Sequence, residues 1–524
     1  KKFKYYGFFQ YRRLEGWRQN SDQRQLSGFG SITYSQTKKW EIGLEYSALR
    51  NKIHMPGGLT DSLFNANPRQ SPTERNWLES PWNILALKIK NQINDKTSFS
   101  LVSSFLFSQR NLIWKNEDNW PNQPDTITPN LQYVPRELER EYFKSTTHEL
   151  RFLHNYNLGK YQQTFAGGVR FAYSHLVRQA GAQGTTGTNF DLTKLSNWEV
   201  NLTFKTINVS LFAEHIFRIK NFTITPGLRY EFLSTSANGY SGNDAEDSDE
   251  PFVLVNHQKR NRNIILGGLG MQYDINNKHS MYANFNRSFR PVTYSDLTPF
   301  GTIAKINPKL KDADGYNVDI GFRGSHQNII NYDVSFFFLY YNNKIGYVNK
   351  LQDTISYLYR TNTGSSRHLG VEAYVELNIL DGWIKTDKYG KLSIYNSFGY
   401  VNAKYAKGEY KNKFVEYAPQ FINRIGVNYG IEGFSINLQY SHNSQSFGDA
   451  SNVKYTSDAL TGIIPKYGVL DMSAGYKWRM LQFKAGINNV TNKKYFTLRT
   501  GEYPGPGIIP SDGIMFYGGI SATF

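Results

Sequence analysis

The chain has 524 residues, 60 Lys and Arg against 43 Asp and Glu, a formal net charge of +17, 10 His and no Cys. The lack of Cys excludes a disulfide framework and thiolate metal sites, and the lack of any run of about 18 apolar residues excludes a helix that spans a membrane. The basic residues are spread along the whole chain, which argues against nucleic acid as partner and leaves anionic lipid or an anionic ligand.

Length alone suggests roughly two to four soluble domains. The composition argues otherwise: 37 Tyr and 35 Phe accompany many Asn, Ser and Gly, as on a surface that meets lipid on one side and water on the other. The first residues, Lys1-Lys2-Phe3-Lys4-Tyr5-Tyr6, alternate and lack the apolar region of a signal peptide, so any export signal is expected upstream.

Period two runs from one end to the other. Strands are expected at 1–16, 26–36, 40–50, 82–93, 97–114, 146–156, 161–178, 205–218, 221–236, 260–275, 278–290, 314–324, 329–347, 356–380, 390–407, 416–429, 433–446, 466–478, 480–492 and 512–524. Phe434, Ile436, Leu438 and Tyr440 alternate with Ser435, Asn437, Gln439 and Ser441, and Phe516, Ile520 and Phe524 with Tyr517, Ser521 and Thr523. No helical segment is available to cover an open sheet, and in lipid only a closed barrel pairs every strand edge. The fold expected is all-β, a transmembrane antiparallel β-barrel. Short connections (36–39, 94–96, 220, 276–277, 325–328, 432) alternate with long ones (51–81, 115–145, 179–204, 237–259, 291–313, 447–465, 493–511), as periplasmic turns alternate with extracellular loops. Strand 1–16 then runs outward and strand 512–524 inward.

Parity assigns faces. With Phe3, Tyr5, Phe9 and Tyr11 toward lipid, Arg12 faces the lumen; the same alternation turns Arg110, Arg178 and Arg290 inward, and Arg360 too if no bulge intervenes. All five lie toward the extracellular mouth, where convergent guanidiniums suit the carboxylate oxygens of an anionic ligand. The bland reading is pairing with carboxylates of the lumen or a plug, or with lipid phosphates at the rim. A neutral ligand would instead need aromatic platforms, for which Tyr294, Tyr503 and Trp114 are candidates. The acidic run at 243–250 is either a solvated loop tip or a Ca²⁺ loop. The sequence has no HExxH, GxSxG or P-loop, and its His are scattered; no enzyme, metal site or cofactor is expected.

Two stretches resemble TonB-dependent outer-membrane receptors. One is Asn488-Asn489-Val490-Thr491-Asn492-Lys493-Lys494-Tyr495-Phe496 with Tyr503-Pro504-Gly505-Pro506-Gly507, similar to ferric-citrate-type receptors of Bacteroidetes. The other is Arg287-Ser288-Phe289-Arg290-Pro291 with Asn307-Pro308-Lys309-Leu310-Lys311, supported by Gly370-Val371-Glu372. The resemblance implies a Gram-negative outer-membrane barrel of 22 strands around a plug. Residues 1–524 are then the barrel domain with about 20 strands visible, and the plug, the TonB box and the first two strands are expected upstream. It also implies import of a ferric chelate, ferric citrate or a similar siderophore, driven by the TonB–ExbB–ExbD complex through the N-terminal region, in contact with outer-membrane lipid and lipopolysaccharide. Cobalamin or an oligosaccharide as substrate, and a passive large-diameter porin, are the alternatives.

Overall fold

The computed structural model describes residues 2–37, 39–115, 124–125, 127–241, 253–297, 305–307, 309–327, 329–352, 355–383, 387–457, 459–501 and 504–523. The strands are β1 (Phe3–Leu14), β2 (Gln23–Ser35), β3 (Trp40–His54), β4 (Trp77–Asn94), β5 (Thr97–Trp114), β6 (Glu137–Leu158), β7 (Tyr161–Gln183), β8 (Val200–Ile219), β9 (Phe222–Ser241), β10 (Val253–Asn276), β11 (His279–Arg290), β12 (Lys305–Ile306), β13 (Ala313–His326), β14 (Ile330–Gln352), β15 (Ile355–Asn378), β16 (Lys391–Lys407), β17 (Phe421–Ile431), β18 (Phe434–Asn443), β19 (Ser446–Phe447), β20 (Ile463–Ile464), β21 (Tyr467–Trp478), β22 (Leu481–Asn488), β23 (Phe496–Thr500), β24 (Gly507–Pro510) and β25 (Met515–Ala522). Among the described residues, helix is confined to α1 (Asp61–Ala66), α2 (Tyr294–Leu297), α3 (Ile379–Trp383) and one 3₁₀ turn. None is long and apolar enough to cross a membrane.

Twenty strands form one antiparallel sheet in chain order. The two-residue β12 joins it in parallel beside β15, and β19–β20 and β23–β24 are separate ladders. β1 and β25 are the terminal strands; no ladder joins them among the described residues. Tight turns and long connections alternate as expected, with two departures: the turn-side connection 379–390 is long enough to carry α3, and on the loop side only two residues separate β14 from β15. The strands also rise higher than expected. β9 runs to Ser241 and β10 starts at Val253, while β14 and β15 continue past a bulge at Tyr341/Lys344 to meet at Gln352 and Ile355. The ladders β19–β20 and β23–β24 give secondary structure to segments expected to be loops throughout. The run 243–250 and Phe524 lie outside the described residues.

Register puts side chains of one polarity on one face. Phe171, Val209 and Phe232 are direct cross-strand neighbours on the outward face. Outward Leu228, Phe336 and Phe9 remain 61%, 62% and 75% exposed, so this apolar face needs lipid to cover it. The inward face is a hydrogen-bonded mosaic: Asn284 donates to Asp319 (2.8 Å), Tyr282 to Asp333 (2.8 Å) and Tyr395 to Gln439 (2.9 Å). Several of its rings lie over a glycine of the next strand, Tyr282 over Gly321, Phe337 over Gly370 and Tyr395 over Gly426, where a Cβ would collide with the ring. Gly426→Val should push Tyr395 off its partner Gln439 and destabilise the barrel by about 1–3 kcal/mol, read as a lower midpoint for loss of the heat-modifiable folded band.

The apolar residues that are buried within the protein lie mostly in and under the extracellular loops. Leu59, Phe64, Ala459, Ile464, Phe496 and Ile508 come from three different connections and form one cluster, and Leu59 and Ile508 exchange both backbone hydrogen bonds. A second cluster joins Val348, Ala403, Tyr405, Tyr410, Val415 and Ala450. Arginines pin these layers. Arg499 forks onto Asp61 (2.8 and 2.6 Å), and Arg18 reaches the carbonyls of Gly57 and Gln70 (2.9 and 2.8 Å). Burial lowers the Arg18 guanidinium to about 10, opposed by Asp512. Fully buried Arg136 donates to the carbonyls of Arg75, Thr185 and Asn189.

Asp449, in the connection between β18 and β21, is fully buried; Ser451 donates to Oδ2, and Oδ1 has no hydrogen-bond partner among the described residues. Burial, with Glu416 nearby, raises its pKa, so the ionised form costs stability in the folded state. Asn at this position keeps the acceptor for Ser451 without the charge. Asp449→Asn should therefore stabilise this loop layer at pH 7. The gain should vanish as pH falls below the unfolded carboxyl value, read as protease resistance of the loops at the two pH values.

Candidate functional site

The five arginines fall into three groups. On adjacent strands Arg110 (β5), Glu141 (β6) and Arg178 (β7) are in direct register. Arg178 meets Glu141 Oε1 at 2.8 Å and Arg110 meets Oε2 at 3.4 Å. Next along β6, buried Glu139 accepts from Trp114 Nε1 at 3.1 Å. A single carboxylate, Glu141, thus bridges these two guanidiniums. Trp114 is only 3% exposed and is no stacking platform, because its ring closes the wall beside Met55, Leu78 and Leu112.

Arg290 and Arg360 are 70 positions apart in sequence yet converge on one oxygen, Oδ1 of Asp296, at 3.3 and 2.6 Å. The second oxygen of Asp296 accepts from Thr293 N (2.9 Å) and Oγ1 (3.0 Å). Arg360 also stands over the Tyr347 ring, 5.7 Å from its centre. Among the described residues, two cations thus share this one carboxylate, an excess of positive charge. Arg12 is exposed on β1 and has no ion pair among the described residues. Tyr294 belongs to α2, beside Asp296, and Tyr503 lies outside the described residues.

Residues 292–296, Asn307 and 311–312 are held in place from several sides. Arg262, not anticipated from the sequence, forks onto Asp312 (2.6 and 2.9 Å) and donates to the Val292 carbonyl, while Asp312 accepts from Val292 N (2.7 Å). Asn307 N donates to the Arg360 carbonyl (2.9 Å) and its amide to Thr361 Oγ1 (2.9 Å). Asn307, on Arg360 and Thr361, and Lys311, on Asn362, are therefore fastened along β15. In the other motif, Asn489 and Asn492 adopt positive φ (51° and 49°), a conformation Asn tolerates. Asn489 Nδ2 donates to the carbonyls of Lys493 and Asp512, and Asn492 Oδ1 accepts from Ile514 N. That motif builds the turn that leads into the last loop.

The family model described as "TonB dependent receptor-like, beta-barrel" matches residues 6–490. The chain belongs to the TonB-dependent receptor family. Proteins of this family are outer-membrane β-barrels. Among solved structures, the unliganded ferric citrate transporter FecA superposes with a TM-score of 0.81 at 20% identity, covering 100% of this chain and 73% of that one. The ferric-catecholate import receptor Fiu from E. coli K12, closed form, gives 0.74 at 13%, covering 100% and 77%. The copper transporter OprC gives 0.74 at 12%, covering 100% and 76%. At these identities the likeness is one of fold. Vitamin B12 transporter BtuB of Vibrio vulnificus (strain CMCP6) is 25% identical over 241 residues, 44% of this chain and 33% of that protein. The matched stretch thus spans about a third of this curated TonB-dependent relative.

Proposed function

We propose that this barrel is the transport domain of a TonB-dependent importer of an anionic ferric chelate, of the ferric-citrate type. The observation that carries the reading is the guanidinium pair Arg290 and Arg360, which shares a single carboxylate and keeps excess positive charge at the mouth. Family membership and the titles of FecA and Fiu support iron chelates as the cargo class. We further propose that the native protein carries a plug, a TonB-contacting segment and two strands that complete the sheet between β25 and β1. Energy would then come from the TonB–ExbB–ExbD complex. Import of cobalamin is the second reading, favoured by the BtuB match.

The test is uptake by cells that make the full-length receptor, with labelled ferric citrate and labelled cobalamin in parallel, with and without TonB. Saturable, TonB-dependent accumulation of ferric citrate is the expected result. Accumulation of cobalamin alone would move the assignment to the second reading, and unsaturable entry independent of TonB would make the protein a pore.

A further inference from the structure

The lumen wall carries a trough near its periplasmic end. Lys391 (β16), Gly430 (β17), Ser435 (β18), Gly475 (β21) and Lys484 (β22) are successive direct cross-strand partners. All face inward, since Tyr400, Ile425, Leu438, Tyr476 and Phe483 have the opposite parity on the same strands and are exposed toward lipid. Two glycines and a serine between the lysines leave a floor of backbone and one hydroxyl. The next row up is Ser393, Asn428, Asn437 and Ser473, where Asn437 Nδ2 donates to Asn428 Oδ1 (2.5 Å). Tyr517 ends that row, its ring over Gly486. The two rows line a cavity of about 570 Å³, and among the described residues no Asp or Glu borders it. Glu376 and Asp471 stand one row higher, with Tyr395 and Gln439 between them. Below lie Lys477, inward on β21, and Glu432, exposed in the turn after β17. Neither Lys391 nor Lys484 forms an ion pair among the described residues.

The trough opens at the exit from the lumen. Lys391 begins β16, Ser435 is the second residue of β18 and Lys484 the fourth of β22, all strands that start on the periplasmic side. We infer that it is a second anion site, far from the arginines of the mouth, where a polycarboxylate cargo rests before it enters the periplasm. The nature of that cargo rests on the reading of the protein as an importer of an anionic ferric chelate. The lysines are four strands apart, about 19 Å along the wall. Their flexible stems bring an ammonium group over each end of a floor without bulk. A chelate with carboxylates at both ends can meet one ammonium at each, while its other oxygens accept from the amides and hydroxyls of the upper row. A cation would meet two like charges here, and a neutral cargo would gain nothing from them.

The chain has no Cys, so Ser435→Cys in the full-length receptor places a single thiol on this wall. It is labelled with a sulfonate-bearing and a trimethylammonium-bearing methanethiosulfonate, each rate divided by that on a free thiol. The corrected ratio should favour the sulfonate by about tenfold, because a focused positive field raises the local anion concentration. It should return to near unity with K391Q/K484Q and persist with K391R/K484R. Ferric citrate should slow labelling of the parent and leave the Gln variant unchanged. In cells, K391Q/K484Q without the cysteine should lower TonB-dependent ferric citrate uptake several-fold, while affinity at the mouth, read by calorimetry, stays that of the parent. A parent with the charge preference that does not import ferric citrate would sink the cargo reading and leave the anion site standing. Equal corrected rates, labelling only after unfolding (a plug seated on the floor), or undiminished uptake by the Gln variant of a parent that imports ferric citrate would each overturn the assignment.

Discussion

Phe336→Arg should prevent most of the protein from folding into lipid vesicles, while Ser335→Arg, one residue away, should leave folding nearly unchanged. Phe336 points outward and is 62% exposed, six positions above the start of β14 at Ile330. At about 3.3 Å per residue and a tilt near 40° that is about 15 Å up, close to the middle of an apolar band about 25 Å tall. An arginine there costs about 2–4 kcal/mol, on top of the lost burial of a phenyl ring in acyl chains. Ser335 faces the lumen directly across from Glu372, so an arginine at 335 gains a carboxylate partner in water. The measurement is the folded fraction by heat-modifiable mobility after dilution from urea into vesicles. Equal losses for the two variants would contradict the facing of this strand, and with it the use of parity elsewhere on the wall.

Parity made much of the fold legible. Where a strand is apolar on one face and polar on the other, as β18 and β21 are, a shift of one residue would turn every side chain to the wrong solvent, so composition fixes facing without knowledge of neighbours. The same logic brought Arg290 to the mouth; for Arg360 it required an unbulged strand, and the register shifts between Gly364 and Asn362, so parity did not carry that assignment. It could not foresee Asp296, because that carboxylate sits on α2 in a loop, where no periodicity constrains it. Arg18, Arg75, Arg136 and Arg499 were illegible for the same reason. They bind carbonyls and carboxylates of loops up to 438 positions away, and nothing in their flanking sequence distinguishes them from solvated arginines. For Arg110 and Arg178 the sequence leaves ligand contact and pairing with a lumen carboxylate both open, because the cross-strand position of Glu141 between them depends on the pairing register, which loop lengths alone leave open by several residues.

Asp296→Asn and the double substitution Arg290→Ala/Arg360→Ala should move anion binding in opposite directions. In the folded protein Asp296 already occupies both guanidiniums through one oxygen, so an incoming carboxylate has to compete with it. Neutralising Asp296 removes the competitor yet leaves an acceptor for Thr293, and the residues around it keep their other anchors, Arg262 on Asp312 and Asn307 on the Arg360 carbonyl. Affinity for ferric citrate should therefore rise in Asp296→Asn. It should fall in the double alanine variant by about 1.5–3 kcal/mol for each charge-assisted hydrogen bond lost. The charge at the mouth also acts over a distance of about 8–10 Å at ordinary ionic strength, so the gain in Asp296→Asn should shrink as salt is added, and association should slow. Calorimetry on the full-length receptor at two salt concentrations reads both effects. An unchanged affinity in the double alanine variant would assign Arg290 and Arg360 to fastening the loop alone. A loss in Asp296→Asn equal to that in the double variant would mean that the ligand needs the loop held by this ion pair, and that the carboxylate is a support of the site and not its competitor.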